Sequence, residues 1–179
     1  MKADYDVTVR WRAFPLHPEI PGSGISLKQL FANQPVDISG MMARLSAVAE
    51  AEGLPFGERI MTYNSRKAQE LSKWAETRGR GEPFHAAAFA AYFVRGENLA
   101  DRSVLAGLAE SVGLDGQEAM DVLDGGRFAD AVDADWAEAR ALGVTAVPTL
   151  IRNGNRLVGA QPYESMVRLV EAAGGDDGR

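Results

Sequence analysis

Residues 143–166 read GVTAVPTLIRNGNRLVGAQPYESM, and this stretch says most about the fold. Two short apolar runs flank Asn153-Gly154, a dipeptide that strongly favours a two-residue hairpin turn. Pro148 stands at the head of the first run, where its missing N–H disfavours a central strand. A trans proline that begins an edge strand and a cis proline both suit this position. The stretch therefore predicts a β-hairpin that starts at an unusual proline.

The first residues predict another β segment. Residues 5–14, YDVTVRWRAF, alternate apolar with polar side chains and are rich in β-branched and aromatic residues. This pattern is typical of a strand with one strongly apolar face, which consists of Tyr5, Val7, Val9 and Trp11. The prolines and glycines that follow predict an irregular loop that runs to about residue 39.

Apolar residues between positions 40 and 142 repeat at helical spacing and predict six helices. The segment EPFHAAAFAAYFVRG, residues 82–96, is apolar on nearly every side, so we expect this helix to be buried on most faces. Asp101 and Asp115 each precede a periodic segment and are predicted N-caps. One more amphipathic helix follows Pro162. The predicted order is strand, long loop, six helices, β-hairpin and helix.

Composition narrows the function classes. The 179 residues are 46% hydrophobic and 25% charged, which are ordinary values for a globular domain. The net charge of −6 has the wrong sign for binding nucleic-acid phosphates or an anionic membrane. No window approaches the roughly 18 consecutive apolar residues of a spanning helix, and MKADYDVTVR lacks a secretory-signal pattern. We therefore expect a cytoplasmic protein without nucleic-acid or membrane partners.

Side chains that carry catalytic chemistry are scarce. The chain has no cysteine, so it has no thiolate for redox or nucleophilic chemistry. Neither His17 nor His85 has a partner at metal-ligand spacing; we expect the first to pin a turn and the second to be a satisfied core histidine. Ser23 and Ser65 suit turn or cap positions better than nucleophiles. We therefore assign no catalytic residue, no metal site and no cofactor.

A cluster of carboxylates stands in the last of the six predicted helices. Asp130, Asp133 and Asp135 lie close together, but the glycine and the terminal glutamate of a calcium loop are missing. Runs of like charge usually lie on a solvated face. We therefore expect these three side chains to face solvent.

Several segments together resemble one protein family. Residues 143–166 resemble the cis-proline hairpin of the DsbA-like thioredoxin-fold disulfide oxidoreductases, in particular their cytoplasmic FrnE-like branch. VRWRAFPLHPEIPGSG, residues 9–24, is similar to that branch's second thioredoxin strand and the loop after it. NSRKAQELSKWA (64–75) and residues 84–115 are similar to its helical insertion. These matches keep their order and spacing over almost the whole chain.

The resemblance implies an α/β fold class, namely a DsbA-like thioredoxin fold with a helical insertion. Residues 1–39 and 126–179 would form the thioredoxin-like part, and residues 40–125 the inserted helical subdomain. The resemblance also implies a cis peptide bond and a substrate groove, here called the cis-proline groove. A peptide or protein substrate would bind there, against Val147, Pro148 and Thr149.

The family has an N-terminal strand and a helix with a Cys-x-x-Cys motif that this sequence does not contain. We therefore expect an N-terminally incomplete fold and a redox-silent chain. In the family the additional strand lies at the sheet centre, between the segments at 5–14 and 147–152, and each buried unpaired backbone group would cost about 1 to 3 kcal/mol. We expect a homodimer or a longer gene product to resolve this, rather than direct pairing of the two segments.

Two alternative functions stay open. Relatives of the same fold include glutathione-dependent isomerases and transferases that bind glutathione against the cis-proline loop. Their activating residue also lies in the segment that is missing here. The other alternative is a dimeric interaction protein whose exposed sheet edge recruits another chain.

Overall fold

The computed structural model describes residues 5–172 and confirms the predicted α/β class. The first sheet is an antiparallel pair, β1 with β2, and the second is another, β3 with β4. Within the described residues no helix is both long and apolar enough to cross a membrane. The elements in chain order are β1 (Ile25–Ser26), α1 (Leu27–Leu30), α2 (Ile38–Ala51), β2 (Met61–Thr62), α3 (Arg66–Thr77), α4 (Gly81–Phe89), a π-helical turn (Ala90–Val94), α5 (Arg102–Ser111), α6 (Gly116–Asp124), α7 (Ala129–Ala141), β3 (Thr149–Arg152), β4 (Asn155–Val158) and α8 (Tyr163–Ala172).

The chain forms two compact units. The hairpin unit combines the chain up to Leu16 with the chain from Ala134 onward, and the helical unit is His17–Asp133. The domain division expected from the sequence, with residues 40–125 as an insertion, stays a prediction.

The core of the helical unit lies where α3, α4, α5 and α6 meet. Five large side chains there are at most 2% exposed, namely Leu71, Trp74, Phe84, Leu105 and Val122. Removing such side chains from water is the main stabilising contribution to folding. The apolar spacing of the sequence therefore identifies the packed faces of these helices.

Two helices of this core begin as the sequence predicts. The carboxylate of Asp101 accepts hydrogen bonds from the N–H groups of Ser103 and Val104 at the start of α5. The carboxylate of Asp115 accepts one from the N–H of Glu118 at the start of α6. Each aspartate thus satisfies N–H groups that have no partner within the helix.

The prediction that residues 82–96 form a helix buried on most faces is wrong. The segment is helical as α4 and the π-helical turn, but of these two elements only Phe84 and Ala91 are buried. Phe89 is among the exposed large apolar side chains. Ala87 and Ala88 pack partly buried against the core, so one side of the segment faces the core and the other faces water.

The hairpin at Asn153-Gly154 is confirmed. β3 and β4 pair antiparallel, with Thr149 opposite Val158 and Arg152 opposite Asn155. Both turn residues have positive φ angles, 47° for Asn153 and 78° for Gly154. Two positive φ angles define the type I′ turn that joins twisted strands most readily.

The prediction of a strand at residues 5–14 is wrong for the described structure. No residue of this segment belongs to a strand, and Val9 and Trp11 are 43% and 41% exposed. The alternating pattern marks a segment suited to a sheet, but a strand forms only where another strand pairs with it. Within residues 5–172 no strand pairs with this segment.

The loop expected to run to residue 39 also contains regular structure. Ile25 of β1 pairs with Thr62 of β2, and α1 follows directly. Ser26 and Gln29 form a reciprocal capping box at the start of α1. This short sheet holds the segment after β1 against the residues around β2.

The expectation that Asp130, Asp133 and Asp135 face solvent together is wrong for Asp135, which is 5% exposed. In the hairpin unit its carboxylate accepts a hydrogen bond from the N–H of Ala13 at 2.8 Å. In the helical unit, Asp133 accepts one from the Arg66 guanidinium at 2.6 Å. Asp130 and Asp133 are both exposed, as expected, although Asp133 is paired with Arg66.

Candidate functional site

The residues predicted for the groove stand together at the start of β3. The peptide bond between Val147 and Pro148 is cis, and both residues are exposed. The Thr149 hydroxyl donates a hydrogen bond to the carbonyl oxygen of Ala146 at 2.6 Å. The carbonyl oxygen of Pro148 accepts one from the N–H of Gly159 at 2.8 Å, which extends the pairing of the hairpin by one residue.

One edge of this hairpin is open. In residues 5–172, β3 pairs only with β4. In an antiparallel pair with a two-residue turn, alternate residues bond across the pair, beginning with the pair beside the turn. The register Arg152↔Asn155 therefore directs the N–H and C=O groups of Thr149 and Ile151 away from β4. These groups line an edge to which another extended segment can bind.

The side chains around this edge are apolar. Val147 is 44% exposed, Leu150 is 38% exposed and Ile151 is 39% exposed. Since successive side chains of a strand point to opposite faces, Leu150 and Ile151 offer apolar contacts on both sides of β3. We call the main chain and side chains of residues 147–151 the β3 edge.

Two arginines hold the hairpin in place, and the sequence analysis did not identify them. The guanidinium of Arg152 donates to the carbonyl oxygen of Val170 in the last turn of α8, at 2.7 Å. The guanidinium of Arg156 donates to the carbonyl oxygen of Leu142, just beyond α7, at 2.7 Å. The last carbonyls of a helix lack partners within it and carry partial negative charge, so both contacts are favourable.

His85 is half-buried in α4, beside a serine and a carboxylate. Its Nε2 lies 3.1 Å from the Ser72 hydroxyl and 3.9 Å from a carboxylate oxygen of Glu76. Burial, followed by the positive charge of Lys73, lowers the pKa of His85. These contacts fit the core role that the sequence predicts.

The other residues considered from the sequence have local contacts. His17 faces the carboxylate of Glu19 at 3.4 Å in the loop before β1. Ser65 precedes α3, and its hydroxyl accepts a hydrogen bond from Gln69. Ser23 lies in the turn before Gly24. The described part of the chain holds no group of three His, Asp or Glu side chains arranged to bind a metal ion.

Several known proteins are similar to this chain. A family model described as DSBA-like thioredoxin domain matches residues 1–171. The crystal structure of a probable DsbA oxidoreductase from Streptomyces coelicolor is 30% identical in sequence, with a TM-score of 0.84. The similarity covers 94% of this chain and 76% of that one. No curated protein matches the sequence.

Two other solved structures are similar to this chain, and their names give a function. The cytosolic disulfide reductase DsbM from Pseudomonas aeruginosa is 25% identical, with a TM-score of 0.54 over 76% of this chain and 72% of that one. A 2-hydroxychromene-2-carboxylate isomerase is 19% identical, with a TM-score of 0.72 over 97% of this chain and 82% of that one. The likeness to the isomerase shows a shared fold.

Proposed function

The chain belongs to the DSBA-like thioredoxin domain family, a family of DsbA-like oxidoreductases, and from this membership we propose that it binds an extended segment of a peptide or protein at the cis-proline groove. The observation that carries the proposal is the open β3 edge beside Pro148. Val147, Pro148 and Thr149 are the residues that we assign to this binding.

Strand addition explains how the β3 edge would recognise a peptide. The outward N–H and C=O groups of Thr149 and Ile151 bond to the main chain of the ligand, which needs no particular sequence. Val147 and Ile151, which are an even number of positions apart, contact alternate apolar side chains of the ligand, which adds selectivity. An extended segment with apolar side chains at every second position is therefore the ligand class we infer.

The chain by itself is proposed to be redox-silent. Thiol-disulfide exchange proceeds by attack of a thiolate on a disulfide sulfur, and none of the 179 residues is a cysteine. Binding would therefore occur here without transfer of a disulfide. We place the protein in the cytoplasm and in the FrnE-like branch, in line with the relative that is named as cytosolic.

The binding proposal is tested by titrating a fluorescein-labelled ten-residue peptide of alternating valine and threonine and measuring fluorescence anisotropy. The variant Val147→Asp places a charge beside the main-chain groups of β3, and its affinity should fall at least about tenfold. Val158→Asp makes the same change on β4, away from the β3 edge, and should alter affinity less than about twofold. Equal losses in both variants, or no binding to the wild type, would overturn the proposal.

The redox proposal is tested by following the reduction of insulin by dithiothreitol. Addition of the protein should leave the rate of insulin precipitation unchanged, because the chain supplies no thiolate. A thioredoxin sample serves as the positive control. A protein-dependent acceleration would contradict the redox proposal. It would not bear on peptide binding, which the anisotropy titration tests separately.

A glutathione-dependent isomerase or transferase remains the alternative, on the strength of the fold shared with the isomerase. Calorimetry with millimolar glutathione separates the two proposals. Binding of glutathione that Val147→Asp abolishes would favour the alternative. Absence of heat would remove it.

A further inference from the structure

The helical unit contains a pocket that is separate from the residues proposed to bind a peptide. Its volume is about 700 Å³, within the range that small-molecule sites occupy. Most of its lining comes from α2 and from the segment from Phe56 to Met61. Ser26, Leu27 and Lys28, at the end of β1 and the start of α1, complete the lining.

One face of α2 lines this pocket. The lining residues follow the spacing i, i+1, i+4, i+5 and i+8, which places them on a single side of the helix. No residue of α2 is buried. This side of the helix therefore offers both methyl groups and hydroxyls to an occupant, from Ile38, Ser39, Met42, Ala43 and Ser46.

Arg59 provides a positive charge in the segment from Phe56 to Met61. Its guanidinium carbon lies 4.5 Å from the ring centre of Tyr92 and 5.6 Å from that of Phe93. Its Nε is buried without a hydrogen-bond acceptor, and no carboxylate of the described residues pairs with it. Cation–π contacts occupy none of the five N–H donors of a guanidinium, so those of Arg59 stay available to an acceptor. The guanidinium of Arg59 can therefore bind an anion.

The surroundings hold Arg59 in position. The Tyr92 hydroxyl donates to the hydroxyl of Thr62 at 3.0 Å, which fixes the ring beneath the guanidinium. The N–H of Gly57 donates to the carbonyl oxygen of Phe93 at 2.9 Å. A Cβ on Gly57 would lie 2.0 Å from the carbonyl oxygen of Val94, so only glycine permits this approach to the π-helical turn. Such turns occur frequently at functional sites.

The charges of the lining select the kind of anion. Lys28 and Arg59 are cationic and Glu58 is anionic, which leaves one positive charge in excess among the lining residues. Lys28 and Glu58 are exposed, whereas Arg59 is half-buried. A singly charged planar carboxylate matches a guanidinium in charge and geometry. A phosphate dianion would bring a second charge close to Glu58.

We propose that this pocket binds a small carboxylate with an apolar body, the carboxylate on the guanidinium of Arg59 and the apolar part against α2. Met42 and Met61 are flexible and fit apolar groups of various shapes. The site would therefore accept a class of aliphatic or aryl carboxylates. The pocket lies wholly within the helical unit, so the proposal does not depend on the β3 edge.

Calorimetry with octanoate, octanol and inorganic phosphate tests the proposal on the full chain. Octanoate should bind, whereas octanol and phosphate should bind at least about tenfold more weakly, because each lacks one half of the recognised chemistry. Equal binding of octanol and octanoate would remove the role of the charge. Binding of phosphate as strong as that of octanoate would remove the role of the apolar wall, and no heat with octanoate would overturn the site.

Variants separate the site from general charge effects. Arg59→Gln should weaken octanoate binding at least about tenfold, through loss of charge-assisted hydrogen bonds. Arg44→Gln removes the same charge on the opposite face of α2 and should change binding less than about twofold. Ala43→Trp fills the pocket from an exposed position, leaves Arg59 in place, and should also abolish binding. Unchanged affinity in Arg59→Gln or in Ala43→Trp would overturn the proposal.

Discussion

The carboxylate of Asp135 accepts a hydrogen bond from the main-chain N–H of Ala13, at 2.8 Å. The two residues are 122 positions apart in sequence, and the contact attaches the N-terminal segment to α7. Arg12, next to Ala13, reinforces it with a 2.8 Å ion pair to Glu138. The N-terminal segment forms no strand, and the N–H of Ala13 bonds to a side-chain carboxylate where a strand would bond to a neighbouring main chain.

Asp135→Ala should destabilise the protein by about 2 kcal/mol, because it removes a charge-assisted hydrogen bond of a buried carboxylate and leaves the partly buried N–H of Ala13 without its acceptor. Asp130→Ala, on the exposed side of the same helix, should stay within about 0.5 kcal/mol of the wild type. Urea unfolding monitored by circular dichroism measures both. Equal losses would show that the contact with Ala13 does not stabilise the protein.

The stability of the protein should fall as the pH drops below 7, through His85. Its pKa is lowered from the ordinary value of 6.5, first by burial and then by the charge of Lys73. Below pH 6.5 the unfolded chain therefore binds a proton that the folded chain takes up only at lower pH, which favours unfolding. The loss of stability begins near the pKa that His85 has in the unfolded chain and levels off below the pKa that it has in the folded chain.

Unfolding free energies measured between pH 5 and pH 8 test this pH dependence. His85→Gln retains a group that can bond to Ser72 and should lose part of the dependence. His17→Gln leaves His85 in place and should retain it. Identical pH profiles for the wild type and His85→Gln would show that His85 does not contribute.

Gly154→Ala should destabilise the hairpin by about 1 to 2 kcal/mol, because φ is 78° there and a Cβ disfavours that region. The penalty is conformational, since no atom lies within 4 Å of the position of a Cβ. Gly107→Ala, inside α5, also meets no atom and should stabilise the protein by about 0.5 to 1 kcal/mol. Thermal unfolding of the two variants should therefore move the midpoint in opposite directions.

Local signals explain which parts of the fold were predictable. Asn153-Gly154 determines its turn through its own backbone preferences, and Asp101 and Asp115 satisfy N–H groups two or three residues away. Such interactions are visible in a short window of sequence. The alternation at residues 5–14 is equally visible, but it does not show whether another segment pairs with these residues.

Long-range contacts explain what the sequence did not show. Asp135 is similar to Asp130 in any local pattern, but Ala13 and Arg12 approach the buried carboxylate from more than 120 positions away in the sequence. Arg59 likewise has no local signal, because its partners Tyr92 and Phe93 lie more than thirty positions away. Charged side chains acquire a role through neighbours that the fold brings to them.

A homodimer formed through the β3 edge makes a further prediction. Ile151→Lys places a charge where a second copy of β3 would pair with the N–H and C=O groups of Ile151. Lysine on an edge strand prevents pairing with another chain, so this variant should be monomeric at concentrations at which the wild type is dimeric. Sedimentation equilibrium over a hundredfold range of concentration measures the change.

Val158→Lys is the matched control for Ile151→Lys. Val158 is an exposed apolar residue of β4, and its substitution introduces the same side chain and the same charge. Val158 lies opposite Thr149 on the neighbouring strand, and its substitution leaves the outward main-chain groups of β3 unaltered. This variant should therefore dimerise like the wild type. A wild type that stays monomeric throughout would contradict the homodimer. The β3 edge would then be available to the peptide ligand alone, and the anisotropy titration would measure its full affinity without competition from self-association.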